Sequence, residues 1–149
     1  MENYKTQLAS MNNALSEWEK KMIGKGILFP EGLNPNTKSI EISEAFDRID
    51  QSIYVILSTP KGSRFGNREF GSDLIKMVFE QNDTILQDLI RIEVNEAISR
   101  WEPRVTVTNV EFLDSNDNID ANILPIIITY CLKNSDLSNN YVYIATRNI

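Results

Sequence analysis

The sequence contains no histidine, and its 149 residues include a single cysteine. Histidine is the commonest general base and the usual zinc ligand in proteins, so its absence excludes serine-protease-type triads and nearly every ordinary zinc site. A lone cysteine cannot form an internal disulfide, which fits a reducing compartment. Cys131 lies in the apolar run 126–132, where we expect a buried, unreactive thiol. The sequence predicts neither a metal site nor a cofactor.

Glycine, proline and long apolar runs are also scarce. With six glycines, five prolines, 42% hydrophobic and 24% charged residues, the composition is typical of one globular domain with a substantial core. No segment approaches the ~20 apolar residues that cross a bilayer, and no stretch has the length of a signal peptide, so we expect synthesis in the cytoplasm and no membrane partner. The formal charge of −6 disfavours nucleic acid as a partner.

The first 22 residues carry one narrow apolar stripe. Its members follow a 4-3-4-3-4 spacing: Tyr4, Leu8, Met11, Leu15, Trp18 and Met22. This spacing predicts an amphipathic heptad helix over 1–23, ahead of a single domain over 24–149. Two arrangements stay open for this helix. It lies on its own domain, or it docks into a helical bundle with other chains through Leu8, Met11, Leu15 and Trp18.

The middle of the chain alternates between predicted loops and helices. Turn residues over 24–43 predict a connector, and a helix with one apolar face follows over 44–57. It ends before Pro60, because a residue before proline is driven out of the helical region. The loop over 60–71 is rich in turns and basic residues, but its residue order differs from that of a phosphate-binding Walker loop.

Two more helices are predicted beyond this loop, over 72–79 and 84–101, each with a polar residue at its start that can act as a cap. The longer one has a stripe of apolar residues that is typical of a core face: Leu86, Ile90, Val94, Ala97 and Trp101. We expect Leu89, Ile92 and Ile98 to widen this stripe.

After Arg104 the apolar period changes from about 3.6 to 2. The pattern predicts a strand over 105–112 with an irregularity at Asn109, a second strand over 122–133 and a third over 141–146. Helices first and strands last, joined by loops of hairpin length, predict an α+β fold. In this fold the N-terminal helices are followed by a three-stranded antiparallel meander.

The densest group of charged residues lies at the predicted junction of helix and strand, over 100–104. Proline has a fixed φ, so Pro103 sets the relative direction of its neighbours and favours a bidentate contact between Glu102 and Arg104, within the chain or across an interface. An exposed pair would contribute only ~0 to 1 kcal/mol, whereas removing one partner of a buried pair would cost on the order of 3 to 5 kcal/mol.

Four segments, taken in order, resemble a known family over about residues 23–133. They are 26–30 (GILFP), 53–64 (IYVILSTPKGSR), 70–74 (FGSDL) and, most distinctive, 101–105 (WEPRV). The chain is similar to the baseplate wedge proteins of contractile phage tails, sometimes labelled lysozyme-like. Relatives of these proteins form the sheath-initiating baseplate component of type VI secretion and extracellular injection systems.

The resemblance implies a structural role in the virion, at the tail baseplate. In that family a small α+β domain resembles the strand-exchanging domain of the tail sheath protein and offers a sheet on which the first sheath ring polymerises. The implied partners are other baseplate wedge subunits and the sheath protein, with the tail tube or hub as further contacts. Glu102, Pro103 and Arg104 are implied to contact the helical core bundle of the wedge. Arg64 is an implied interface residue too, although Ser63 stands here where the family usually has a glutamate.

The predicted C-terminal strand offers a second docking surface. Between residues 141 and 148 it has one charged residue and no proline, so at a sheet edge it would lack the usual protection against added strands. We expect Tyr141, Tyr143 and Ala145 to belong to a surface that another chain extends by strand addition. Coverage of this edge by the chain's own termini is the open alternative.

The leading hypothesis is therefore an assembly protein without enzymatic activity. One alternative is a peptidoglycan-hydrolysing, lysozyme-like tail enzyme, and another is a generic helix-and-sheet adaptor. Glycoside hydrolysis needs two carboxyl groups about 5 to 9.5 Å apart, one with a raised pKa. The acids available for it are Glu69, Asp73, Glu80 and Glu102, and none lies in a recognisable catalytic motif.

Overall fold

The computed structural model describes residue 10 and residues 12–28, 32–34, 37–77, 84–112, 123–133 and 137–146. The chain divides into two compact units, Met1–Ser52 and Ile53–Ile149. Helices and antiparallel strands occur together, so the predicted α+β class is confirmed. The described helices include none with the length and apolar character that crossing a bilayer requires.

Helix α1 (Glu17–Ile23) lies in the first unit and begins at a serine cap. The Ser16 hydroxyl accepts a hydrogen bond from the Glu19 N–H at 3.3 Å, and the Glu19 carboxylate accepts one from the Ser16 N–H at 2.8 Å. This reciprocal pair is a capping box, and the cap residue itself has an extended backbone. The predicted heptad helix is therefore not continuous: it is interrupted at Leu15 and Ser16, because Ser16 starts a new helix.

A short antiparallel ribbon follows α1 in the first unit. Strands β1 (Lys25–Ile27) and β2 (Ile42–Glu44) pair so that Ile27 lies opposite Ile42 on an exposed face. Lys25 and Glu44, also opposite each other, form an ion pair at 2.6 Å. The sequence predicts only a connector here, since three-residue strands are too short to show a period of two.

Helix α2 (Ala45–Ser58) spans the border between the two units and agrees with the predicted helix over 44–57. It buries one apolar face: Phe46, Ile49, Ile53, Ile56 and Leu57. At its end the Thr59 hydroxyl donates a hydrogen bond to the Val55 carbonyl at 2.6 Å. Pro60 cannot continue the helical hydrogen bonding, so the chain leaves the helix there.

Helices α3 (Leu74–Met77) and α4 (Thr84–Trp101) belong to the second unit. Along α4 the predicted core stripe is buried from Leu86 to Ala97, together with Ile98. Leu89 and Ile92, however, are 47% and 63% exposed, so their predicted place in the core is wrong. At 100° per residue both lie about 140° to 160° around the helix from the buried Val94, on the side that faces water.

The second unit also contains a three-stranded antiparallel sheet in the order β3-β4-β5. Its strands are β3 (Val105–Phe112), β4 (Ile123–Leu132) and β5 (Ser138–Thr146). The register shifts between Val107 and Asn109, where the sequence predicts an irregularity. This extra residue lets Val107 and Val110 both face the buried side, although three positions separate them.

Cys131 lies on the opposite, outward side of β4 and is half-buried. Its Sγ is 3.7 Å from the Thr106 carbonyl of the neighbouring strand. The prediction of a buried thiol is therefore wrong. Alternation along the strand places Tyr130 and Leu132 in the core and Cys131 between them on the other face.

Candidate protein-binding site

The corner between α4 and β3 consists of residues 102–104. The Glu102 N–H donates a hydrogen bond to the Ile98 carbonyl at 2.8 Å, which continues the helical pattern by one residue. The Val105 N–H donates to the Glu102 carbonyl at 3.3 Å, and the Lys133 N–H donates to the Arg104 carbonyl at 2.9 Å. The corner is thus fixed by the helix on one side and by β3 and the end of β4 on the other.

Glu102 and Arg104 form an ion pair at this corner. Nε and Nη2 of Arg104 donate hydrogen bonds to the two carboxylate oxygens of Glu102, so the contact is bidentate. Glu102 is 3% exposed, whereas the Arg104 side chain is 30% exposed. The hydrogen bonding with Glu102 is the main cause that raises the pKa of Arg104 above its ordinary value, against an opposing effect of burial. The predicted pair therefore forms within the chain, and the guanidinium is its accessible half.

The loop over residues 60–71 has a well-defined backbone. Gly62, Gly66 and Gly71 all have positive φ values, of 89°, 87° and 107°. At Gly71 a Cβ atom would stand 2.0 Å from the Thr59 carbonyl oxygen, so a side chain does not fit there. The Gly62 N–H donates a hydrogen bond to the Arg68 carbonyl at 2.7 Å, which closes the loop on itself.

A nearly buried carboxylate on α4 anchors this loop. Glu93, which is 8% exposed, lies 2.7 Å from Nζ of Lys61 and accepts a hydrogen bond from the Asp73 N–H at 2.9 Å. The hydrogen bond between Lys61 and Glu93 raises the pKa of Lys61 above its ordinary value. One side chain of the helix therefore holds residues on both sides of the loop.

Stacked aromatic and cationic side chains join the loop to the corner. The Arg64 guanidinium carbon lies 4.3 Å from the centroid of the Phe70 ring, and that ring lies 5.2 Å from the ring of Trp101. Arg100 lies over Trp101 at 5.1 Å and forms an ion pair with Glu69. Residues 60–71 and 100–104 are thus one continuous surface, which we name the corner-loop surface. It contains Arg64, Glu102, Pro103 and Arg104, and the interface role of these four residues stays a prediction.

Phe65 is a prominent member of the corner-loop surface that the sequence reasoning missed. It is fully exposed, and it stands between Arg64 and the positive-φ Gly66. An aromatic residue inside a loop of glycines and basic residues is the signal that could have identified it, since such loops rarely bury a large side chain.

The residues that the sequence predicts for helical docking differ from one another in exposure. Leu15 is buried within the chain, and Trp18 is 58% exposed. Leu8 and Met11, like Tyr4, lie outside the described residues. Trp18 is therefore the one of these four residues that is described and accessible.

On β5 the predicted interface side chains point towards the core. Tyr143 and Ala145 are buried and Tyr141 is half-buried. The Tyr143 ring lies 6.3 Å from that of Tyr54, and burial raises the pKa of Tyr143 to about 12. Val142 and Ile144 point outward and are exposed. Within the described part of the sheet no strand lies beyond β5, so this strand offers its outer edge and these two outward side chains.

Three of the acids that hydrolysis would require are described, and each is paired with a cation. Glu69 pairs with Arg100, Glu102 pairs with Arg104, and Asp73 lies 2.6 Å from Lys76. In the described part of the chain these three carboxylates therefore act as ion-pair partners. Glu80 lies outside the described residues.

Residues 43–136 match the family described as baseplate wedge protein gp25. The chain belongs to the gp25 family of baseplate wedge proteins. The resemblance carried by the sequence motifs is thereby confirmed, and the matched region contains the whole corner-loop surface. As a gp25-family protein, the chain is a component of the phage tail baseplate and so of the virion.

Two phage proteins are similar to this gp25-family chain. Baseplate protein W of Escherichia phage P2 is 39% identical over 71 residues, which are 48% of this chain and 62% of that protein. Baseplate wedge protein gp25 of Enterobacteria phage T4 is 28% identical over 95 residues, which are 64% of each. The matches therefore span less than two thirds of either relative.

Two solved structures share the fold of this gp25-family chain. A putative tail lysozyme from Geobacter sulfurreducens has a TM-score of 0.65 and 30% sequence identity, and the match covers 74% of this chain and 98% of that one. A chain of the postcontracted pyocin R2 baseplate has a TM-score of 0.53 and 25% identity, with coverage of 68% and 96%. The second of these was determined within a baseplate.

Proposed function

We propose that this gp25-family chain is a structural subunit of the baseplate wedge, without enzymatic activity, that also starts polymerisation of the tail sheath. Its corner-loop surface and N-terminal helix bind other wedge subunits, including the wedge helical bundle, and its C-terminal sheet binds the sheath protein. The corner-loop surface is the observation that carries this proposal. Contacts with the tail tube or hub are a further part of it.

The corner-loop surface suits a permanent interface. Backbone hydrogen bonds join residues 102–104 to α4, β3 and β4, and others within residues 60–72 close the loop, so little backbone entropy is lost on binding. It presents aromatic and arginine side chains, which are enriched in protein interfaces. Arg64 and Arg104 both direct part of a guanidinium to the surface while the other part is held by the chain itself.

The outer edge of β5 supports the proposed sheath contact. An edge strand can accept an added strand through its backbone, and lysine or proline residues are the usual protection against this. Residues 142–146 contain neither, and their outward side chains Val142 and Ile144 are apolar and exposed. An added sheath strand would form hydrogen bonds with the backbone of β5 and would lie beside these two side chains on the outward face of the sheet.

Co-expression with the other wedge subunits and the sheath protein of the same tail tests the wedge role. We expect the wild-type chain to sediment with the wedge, and Arg64→Glu to lower its incorporation at least tenfold by reversing a charge on the corner-loop surface. Lys38→Glu makes the same change of charge in the first unit and should assemble normally. A wild-type chain that remains monomeric with every one of these proteins would overturn the proposal.

The sheath role has a separate test. Val142→Lys combined with Ile144→Lys places charges beside the outer edge of β5, and we expect it to reduce sheath polymerisation on assembled baseplates without reducing the number of baseplates in electron micrographs. Thr106→Lys, on the opposite edge strand β3, is the control for a lysine added beside the other edge of the sheet. Normal sheath growth on the double variant would count against strand addition at β5.

A clearing assay on purified peptidoglycan addresses the enzymatic alternative, which the lysozyme label of one structural relative raises. We expect no clearing by the wild-type protein. Clearing that disappears in Glu69→Gln or Glu102→Gln, with the protein still folded, would establish a hydrolase instead.

A further inference from the structure

Phe65 lies exposed to water in a loop whose backbone is held by hydrogen bonds. The ring is fully exposed, while the residues around it are fixed from several directions. Gly62 bonds across the loop to Arg68, Lys61 bonds to the buried Glu93, and the Ser72 hydroxyl donates to the Leu57 carbonyl at 2.9 Å. The hydrogen bonds of the loop therefore present this large apolar side chain to solvent, and a binding partner would have to order little beyond the ring itself.

The charges beside Phe65 indicate the chemistry of that partner. Arg64 and Arg68 are both exposed and flank the ring within three positions. The third basic residue of the loop, Lys61, is neutralised by Glu93, and Glu69 is neutralised by Arg100. The exposed tip of the loop is therefore basic, although the whole chain has a formal charge of −6. Complementarity favours a partner surface with carboxylates around an apolar depression.

We propose that Phe65 is an anchor residue that inserts into an apolar pocket, rimmed by Asp or Glu side chains, on another subunit of the same baseplate. Arg64 and Arg68 pair with the rim, and the ring fills the pocket. The proposal deepens the wedge role and rests on it. It assigns the partner a chemistry that the other features of the corner-loop surface leave open.

Binding of the purified chain to a wedge subassembly made of the other wedge subunits of its own tail tests the anchor. Phe65→Ser should weaken binding about 10- to 100-fold, the factor expected when burial of one phenylalanine ring is lost. Phe65→Leu, which keeps an apolar side chain, should retain most of the affinity. All three proteins should unfold at the same temperature, because the ring is fully exposed in the free chain.

Two further variants distinguish the contribution of the Phe65 ring to binding from that of the flanking arginines. Arg64→Gln combined with Arg68→Gln should slow association and reduce its dependence on salt, whereas Phe65→Ser should mainly speed dissociation. Gly66→Ala keeps Phe65 but changes the backbone beside it. A Cβ atom at Gly66 would meet nothing within 4 Å, so a loss of affinity there would come from a change of the strained backbone that displaces the ring and its flanking arginines.

The outcomes distinguish failure of the anchor from failure of the wedge role. If the wild type does not bind the subassembly, both are overturned. If it binds and Phe65→Ser binds within twofold of it, only the anchor is overturned. A photo-crosslinking phenylalanine analogue at position 65 should join the chain to a segment of a wedge subunit that contains apolar and acidic residues, and attachment to a basic surface would overturn the proposal.

Binding to vesicles of anionic phosphatidylglycerol is the remaining alternative for an exposed ring between two arginines. We expect the wild-type chain to leave such vesicles unbound at physiological salt. Vesicle binding that Phe65→Ser abolishes would assign the loop to a membrane and overturn the protein pocket.

Discussion

The Arg104 guanidinium donates hydrogen bonds to both carboxylate oxygens of Glu102, two positions earlier in the chain. The carboxylate that it neutralises is almost completely buried. The junction of α4 and β3 thus contains a buried carboxylate whose charge is neutralised, and the accessible part of the pair is the guanidinium. Water reaches Arg104 but hardly reaches Glu102. The two residues therefore differ in what their loss would cost the folded chain.

Arg104→Ala should lower the free energy of unfolding by about 2 to 4 kcal/mol. The variant leaves the buried carboxylate of Glu102 without its partner, and the cost stays below that of a fully buried pair because water already reaches the guanidinium. Urea denaturation at pH 7 measures it. The double variant Glu102→Met with Arg104→Met removes both charges and should regain most of the loss. A single variant within 0.5 kcal/mol of wild type, roughly the size of a surface effect, would contradict this account.

Gly71→Ala and Gly66→Ala form a matched pair in the same loop. Both positions have positive φ, but only at Gly71 would the new Cβ meet backbone, the Thr59 carbonyl oxygen at 2.0 Å. We expect Gly66→Ala to cost about 1 kcal/mol from backbone strain alone, and Gly71→Ala about 3 kcal/mol or more. Thermal unfolding of the two variants gives the comparison. Equal losses would show that the Thr59 contact relaxes freely.

Tyr143→Phe should remove part of the loss of stability at alkaline pH. In the folded chain burial raises the pKa of Tyr143 to about 12, against about 10 in the unfolded chain. The unfolded state therefore releases this proton first, and the contribution of Tyr143 is fully present below pH 10 and falls as the pH rises towards 12. The wild type should lose about 2 to 3 kcal/mol more than the variant between pH 9 and pH 12. Parallel losses in denaturant titrations at these two pH values would disprove it.

Ser16→Ala should destabilise α1 by about 1 kcal/mol, because the helix loses the hydroxyl that accepts a hydrogen bond from the Glu19 N–H. Hydrogen exchange at the amides of residues 17–23 measures the change locally. Glu19→Gln is the control, since glutamine also completes a capping box and should retain most of the protection. Unchanged exchange in Ser16→Ala would mean that contacts other than the cap start this helix.

The sheet was the most predictable part of the fold. Period-two alternation places Val105 and Val107 on one face, and the break in that alternation locates the irregularity at Asn109 because the core must receive Val110 as well. Burial on one face makes this pattern strong. The ribbon of β1 and β2 escaped prediction because its strands are three residues long, and its isoleucines face water.

Helix faces were harder to predict from apolar residues alone. Their spacing in the sequence predicts that Leu89 and Ile92 widen the apolar stripe of α4. The helix buries its opposite side, however, so both side chains remain exposed to water. Likewise the heptad spacing up to Met22 gives no sign of an interruption in the N-terminal helix. The capping box of Ser16 and Glu19 determines where the new helix begins. Hydrophobic periodicity predicts which residues could share a face, and capping and packing determine which of them do.

The charged residues of the corner-loop surface were predictable from the sequence, but their spatial arrangement was not. The spacing across Pro103 predicts the contact between Glu102 and Arg104 from local geometry. The stacking of Arg64, Phe70 and Trp101 joins residues more than 30 positions apart, and the sequence contains no signal for that distance.

Cys131 is the one cysteine of the sequence, and it lies half-buried on the outward side of the middle strand. The unmodified chain therefore already contains a site for chemical footprinting. A maleimide dye would react there without any engineered cysteine. The rate at which the dye labels Cys131 can be compared between the isolated chain, baseplates and complete tails. A fall in this rate would show at which stage of assembly that side of the sheet becomes shielded.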